Sequence, residues 1–158
     1  MNARIGIGYD AHKLEAGYEL WLGGILIEYH KGLVGHSDGD VLIHAIIDSL
    51  LGAASMGDIG SHFPPSDFQY QNVSSLTFLE HVSRLLGQHG WHVINVDATI
   101  VAEQPTLAPF RSEMQRTIAQ GLDILPSIVN IKATTTDGMG FPGRGEGISS
   151  YAIASIEQ

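Results

Sequence analysis

Cysteine is absent from the 158 residues. Disulfides and thiolate metal centres are thereby excluded, so any transition-metal site must be assembled from histidine and carboxylate. Basic residues are scarce: 8 Lys and Arg stand against 17 Asp and Glu, for a formal charge of -9. That leaves too few cations for the clusters that grip nucleic-acid backbones. No apolar run approaches the roughly 20 residues needed to span a bilayer. The N-terminus also lacks the basic head and apolar stretch of a secretion signal. The expectation is a cytoplasmic protein that engages neither nucleic acid nor membrane.

What remains is a core and a stock of histidines. Hydrophobic residues make up 44% of the chain and charged residues 16%, which suits one domain, 1–158, with its own interior. Segment 4–10 reads as a strand that ends where the polar Asp10-Ala11-His12 begins. Segments 19–22 and 25–28 flank Gly23-Gly24, whose freedom at positive φ suits a two-residue hairpin turn. Apolar residues at helical spacing mark 41–54, with Ser37 or Asp38 as the expected cap. Residues 57–72, with Pro64-Pro65, read as a long loop of the kind that forms lids. Helices are expected over 74–88 and from about 109 to 120, and strands over 93–101, 128–134 and 148–156. The fold class implied is α/β (α+β), a single mixed β-sheet with helices on one face. The opposite face mixes Asn95, Thr99, Lys132, Ser150 and Ala152, and is either solvated or turned toward symmetry mates.

Asp10 and His12 are two apart, so on an extended segment both project from one face and can grip one ion. Alone the pair is a weak signal. His44 adds to it, lying early in the first helix and off the stripe set by Val41, Ala45 and Ile46. Three N/O ligands with an open fourth position describe a catalytic zinc centre. Asp40 and Asp48 lie one turn either side of His44; each either fixes its tautomer or is a solvated helix carboxylate. His36 precedes the expected cap, where N–H groups favour an anion. Thr134, Thr135, Thr136 and Asp137 close a strand and lead into the glycine-rich 138–147. Arg144, between two glycines, offers a planar fork for phosphate or carboxylate.

Segments 6–12, 35–41, 44–45, 51–54, 57–60, 63–64, 95–97, 132–136 and 143–147 together resemble, in order, the 2-C-methyl-D-erythritol 2,4-cyclodiphosphate synthases of the non-mevalonate isoprenoid pathway. That resemblance implies a homotrimer with its sheets around the three-fold axis and active sites between subunits. It implies cyclisation of a cytidine diphosphate substrate, 4-diphosphocytidyl-2-C-methyl-D-erythritol 2-phosphate, with loss of CMP. Asp10, His12 and His44 would hold zinc, and Asp137 would approach a second divalent cation, Mg2+ or Mn2+. His36 and Thr135 would steady the transition state. Asp58 and Gly60 would contact the erythritol part, and Ser37, Ile59, Phe63, Pro64, Pro65, Ser66 and Asp67 would also contact substrate. The segment from Ala102 to Ala108, with Pro105, Thr106 and Leu107 inside it, and Thr134, Thr135, Thr136 and Asp137 would form the cytidine diphosphate pocket of the adjoining subunit. Phe141 and Arg144 would contact an isoprenoid diphosphate held at the trimer centre in some members.

Three positions depart from the family pattern. Asp137 replaces a common Glu, Thr106 stands where some relatives carry Lys, and Tyr151 where some have Glu. Two other readings suit the same residues: a zinc-dependent phosphoesterase, and an inactive trimer that binds CDP or isoprenoid diphosphate.

Overall fold

Two glycines on the first strand set the architecture. The computed structural model describes residues 2–158. Strand β1 (Ala3–Glu15) carries Gly6 and Gly8 on the face that receives helix α1 (Val41–Ala54), so strand and helix backbones meet without side chains between them. The strand does not end at residue 10: it continues through Asp10 and His12 to Glu15, where its end pairs with a two-residue strand, β4 (Gly32–Leu33). Between them lies the hairpin of β2 (Leu20–Leu22) and β3 (Ile25–Ile27), turned by Gly23 and Gly24, both at positive φ as expected.

The main sheet has the order β4-β1-β7-β5-β6, where β5 is His92–Val101, β6 Val129–Thr134 and β7 Gly147–Glu157. All neighbours are antiparallel except β5 and β6, so the sheet is mixed. Helices α3 (Ser75–Gln88) and α4 (Arg111–Leu122) join α1 over one face. The buried core runs along Leu42, Ile46 and Leu50 of α1, Leu79 of α3, Ile118 of α4 and Val96, Ala98 and Ile100 of β5.

The expected composition of the open face needs correction. Ser150 and Ala152 are buried, because they pair across the ladder with Ile100 and Ala98, and cross-strand partners share a face. The open face instead carries Asn95, Asp97, Thr99 and Lys132 beside an apolar stripe of Ile5, Ile7, Tyr9, Tyr151 and Ile153. Ile5 is 74% exposed and Ile7 69%, and Tyr9 and Tyr151, direct partners in the ladder, have ring centroids 4.8 Å apart.

The cap of α1 is Asp40, three residues after Ser37 and two after Asp38. Its fully buried carboxylate accepts from Ile43 N–H at 3.0 Å and from the hairpin-tip N–H groups of Gly23 (3.0 Å) and Gly24 (2.8 Å). One side chain thus satisfies three orphan donors and ties the hairpin to the helix start. The loop after α1 contains structure of its own: α2 (Ile59–His62), capped by Asp58, and a single 3-10 turn at Phe68–Tyr70. A further short helix, α5 (Gly140–Gly143), precedes β7. Among the described residues no helix is long and apolar enough to cross a membrane.

Candidate metal centre and its cavity

Asp10 and His12 lie on the same face of β1, and α1 brings His44 down onto it. Asp10 Oδ2 is 3.0 Å from His12 Nε2 and 2.9 Å from His44 Nδ1. The three candidate ligand atoms all lie within 4.8 Å of one another. His44 is 9% exposed, since α1 is buried on almost every side; the apolar stripe read from spacing is too narrow.

The outer nitrogens of both imidazoles are engaged. His12 Nδ1–H donates to the Val34 carbonyl at 2.5 Å. His44 Nε2 lies 2.8 Å from Ser75 Oγ and 3.2 Å from Ser37 Oγ. With the outer nitrogens donating, each neutral ring turns a lone pair inward toward Asp10. Three acceptors facing one point repel unless a cation or extra protons sit among them, so this donor set fits a divalent metal. Burial pushes the Asp10 carboxyl up, but hydrogen bonds from His12 and His44 outweigh it and hold the pKa at about 2. Burial likewise opposes protonation of His12, and the Asp10 carboxylate overcomes it and raises the imidazole.

Neither carboxylate expected beside His44 reaches it. Asp40 is committed to capping, and Asp48 accepts from Ile59 N–H at 2.8 Å, which fastens α2 to α1. Neither is freely solvated: Asp40 is fully buried and Asp48 half-buried. Ser75 stands in their place, 31 residues away in sequence from His44.

The triad forms one wall of a cavity of about 230 Å³, which His36, Ser37, Ile59, Gly60, Phe63 and Pro65 also line. Tyr70 and Phe78, not singled out by sequence, complete its apolar side; Phe78 stacks on Phe63 at 4.3 Å and Tyr70 meets Phe63 edge-on at 5.5 Å. Asp58, Pro64, Ser66 and Asp67 flank this lining without joining it. Asp58 caps α2, and hydrogen bonds from the Ser61 hydroxyl and N–H hold its carboxyl below the ordinary range. His36 sits with Nε2 3.4 Å from the Asp67 carbonyl, while its own carbonyl accepts from Asn72 N–H, so both ends of the 67–72 segment are fastened to it.

A second cavity of about 270 Å³ shares no lining residue with the first. Ala102, Glu103, Pro105, Thr106, Leu107, Ala108, Thr134 and Thr135 line it, together with Ala133, which lies just outside the expected segments. Thr136 N–H donates to Glu103 Oε2 at 3.4 Å, and Asp137, at φ 53, donates its N–H to Thr135 Oγ1. Arg144 finds its carboxylate two residues on: Nε and Nη2 donate to Glu146 at 2.8 and 3.2 Å. Phe141 is exposed nearby.

The model of the YgbB family matches residues 3–157. A 2-C-methyl-D-erythritol 2,4-cyclodiphosphate synthase of Syntrophomonas wolfei is 54% identical, with 98% of this chain and 99% of that protein aligned. The one from Porphyromonas gingivalis is also 54% identical, over 97% and 94%. Among solved structures, a CDP complex of IspF from Plasmodium falciparum superimposes with a TM-score of 0.87 at 32% identity, covering 98% of this chain and 96% of that one. The bifunctional IspDF of Campylobacter jejuni gives a TM-score of 0.94 at 37% identity, with 98% of this chain matched to 42% of that longer one.

Proposed function

The chain belongs to the YgbB family, and from that membership we propose that it catalyses the reaction for which its synthase relatives are named. In this reading 4-diphosphocytidyl-2-C-methyl-D-erythritol 2-phosphate closes to 2-C-methyl-D-erythritol 2,4-cyclodiphosphate with release of CMP, a cyclising phosphorus–oxygen lyase reaction in isoprenoid precursor synthesis. The observation that carries it is the convergence of Asp10 Oδ2, His12 Nε2 and His44 Nδ1 on one point of a cavity wall, with both outer ring nitrogens already bonded.

An oxygen of the 2-phosphate forms a bond to the β-phosphorus, and the bond from that phosphorus to the oxygen shared with CMP breaks, its electron pair leaving with CMP. Nucleophile and electrophile belong to one molecule, so the protein must fold the substrate, neutralise charge and hold the groups in line. A phosphate dianion is already nucleophilic, and no side chain need act as a strong base. A zinc ion held by Asp10, His12 and His44 would supply a Lewis acid to a substrate phosphate oxygen. His36, which lines the same cavity, would donate to the transferring phosphoryl group. Ile59, Phe63, Tyr70 and Phe78 offer an apolar wall to the methylated carbon chain and keep water from it.

Thr134 and Thr135 line a separate cavity. We assign it to the nucleotide of a substrate whose other end lies on a neighbouring subunit, which brings Thr135 and Asp137 to the phosphates there, Asp137 toward a second cation. The exposed stripe Ile5, Ile7, Tyr9, Tyr151 and Ile153 supports a homotrimer that buries this face around a three-fold axis. An isoprenoid diphosphate reaching Arg144 at such a centre would meet a guanidinium whose Nε and Nη2 already donate to Glu146.

The test is a product balance. Cyclic diphosphate and CMP in equal amounts, with no inorganic phosphate, is the expected result; release of phosphate instead makes the protein a phosphoesterase.

A further inference from the structure

The proton on Ser75 decides what His44 can do. Ser75 is the first residue of α3 and fully buried, and its hydroxyl has one hydrogen to give. Two groups contact that oxygen closely: Asp38 Oδ1, which only accepts, and His44 Nε2 at 2.8 Å. A hydroxyl donating to the imidazole would leave it facing the carboxylate lone pair to lone pair, in the interior. Ser75 therefore donates to Asp38 and accepts from His44 Nε2–H. Asp38 cannot turn away, because its Oδ2 accepts from Ser75 N–H at 2.8 Å and its Oδ1 from Asp40 N–H at 3.1 Å. In the neutral ring a proton on Nε2 leaves Nδ1 bare, and Nδ1 is the atom that faces Asp10 at 2.9 Å.

We propose that Asp38 and Ser75 form a positioning relay for His44: carboxylate, hydroxyl and imidazole in series, fixing the Nε2–H tautomer and strengthening Nδ1 as a metal donor. The relay rests on the metal reading of Asp10, His12 and His44. It gives the negative charge of Asp38 a path to the ligand atom through two hydrogen bonds, each polarising the next. It also joins the start of α3 to α1, so the ring of His44 is held by a different element from the one that carries it. Ser37 Oγ, 3.2 Å from Nε2 and 3.5 Å from Ser75 Oγ, is a second and weaker acceptor at the same junction.

The experiment measures Zn2+ affinity by competition with a chromophoric chelator, for the full-length wild type, Ser75→Ala, Asp38→Asn and the double variant, with thermal melting of each metal-stripped form alongside. Each single variant is expected to bind zinc about 10- to 100-fold more weakly. The double variant should lose little beyond the worse single, because both act through one imidazole. Should Ser75→Ala fail to fold, Asp38→Asn, which keeps the side-chain shape at a partly exposed position, decides alone. Unchanged affinity in a folded variant overturns the relay, as do losses that add and simply follow the melting temperatures. Wild-type protein that binds no zinc overturns the metal reading and the relay together, an outcome distinct from variants that match a zinc-binding wild type.

Discussion

Gly8 lies directly against the backbone of Ala45: a Cβ at Gly8 would stand 1.9 Å from the Ala45 carbonyl oxygen. Gly6 repeats the contact one turn along α1, where a Cβ would stand 2.0 Å from the Ser49 carbonyl oxygen. Strand and helix approach so closely that His44, next to Ala45, reaches Asp10, two residues beyond Gly8. The ligand geometry is thus a consequence of backbone packing as much as of the ligands themselves.

Gly8→Ala is expected to force the helix off the strand, with a loss of about 3 kcal/mol or more in stability and weaker zinc binding. Urea unfolding and a chelator competition on the same sample check it. Full stability with wild-type affinity contradicts the packing argument.

The metal-stripped protein has a pH signature with a definite sign. Asp10 is lowered from 3.8 to about 2, so its contribution is present above about pH 4 and disappears as pH falls toward 2. His12 is raised above 6.5, so its contribution is complete below that value and is lost as pH climbs through the elevated one. Urea midpoints should form a plateau in the mildly acid range, falling on both sides. His12→Ala should remove the alkaline fall, which zinc should also abolish by replacing the protons.

Much of this site is legible in the sequence, for physical reasons. Asp10 and His12 share a face wherever the chain is extended, and Gly23-Gly24 specifies its turn through φ alone. What sequence spacing cannot supply is partnership across the fold. Asp40 and Asp48 are the right distance from His44 along a helix, yet one binds the hairpin tip and the other α2. Ser75 looks like an ordinary helix start until packing of α3 against α1 sets it on the imidazole. Ser150 and Ala152 take the buried face because β7 pairs with β5 so as to set them opposite Ile100 and Ala98, which spacing along β7 alone does not decide.

If the proposed trimer buries the open sheet face, a charge placed there should dissociate it. Ile7 is 69% exposed in the single chain, and Ile7→Asp should convert a trimer into monomers in light scattering. Turnover should fall with it, because each active site would lose the subunit that carries Thr135. Monomeric wild-type protein with full activity contradicts the intersubunit arrangement.

Asp137→Glu should raise magnesium affinity, since the added methylene lets the carboxylate bind the ion directly rather than through water. Calorimetric titration in the presence of CDP measures it, and equal or weaker binding rejects the role given to Asp137.

The most direct test of the account is elemental analysis of active, chelator-free protein, paired with turnover before and after stripping. About one zinc per chain is expected, with activity abolished by a strong chelator, restored by zinc and absent in His44→Ala. Active protein that carries no divalent transition ion and keeps its turnover after chelation contradicts it.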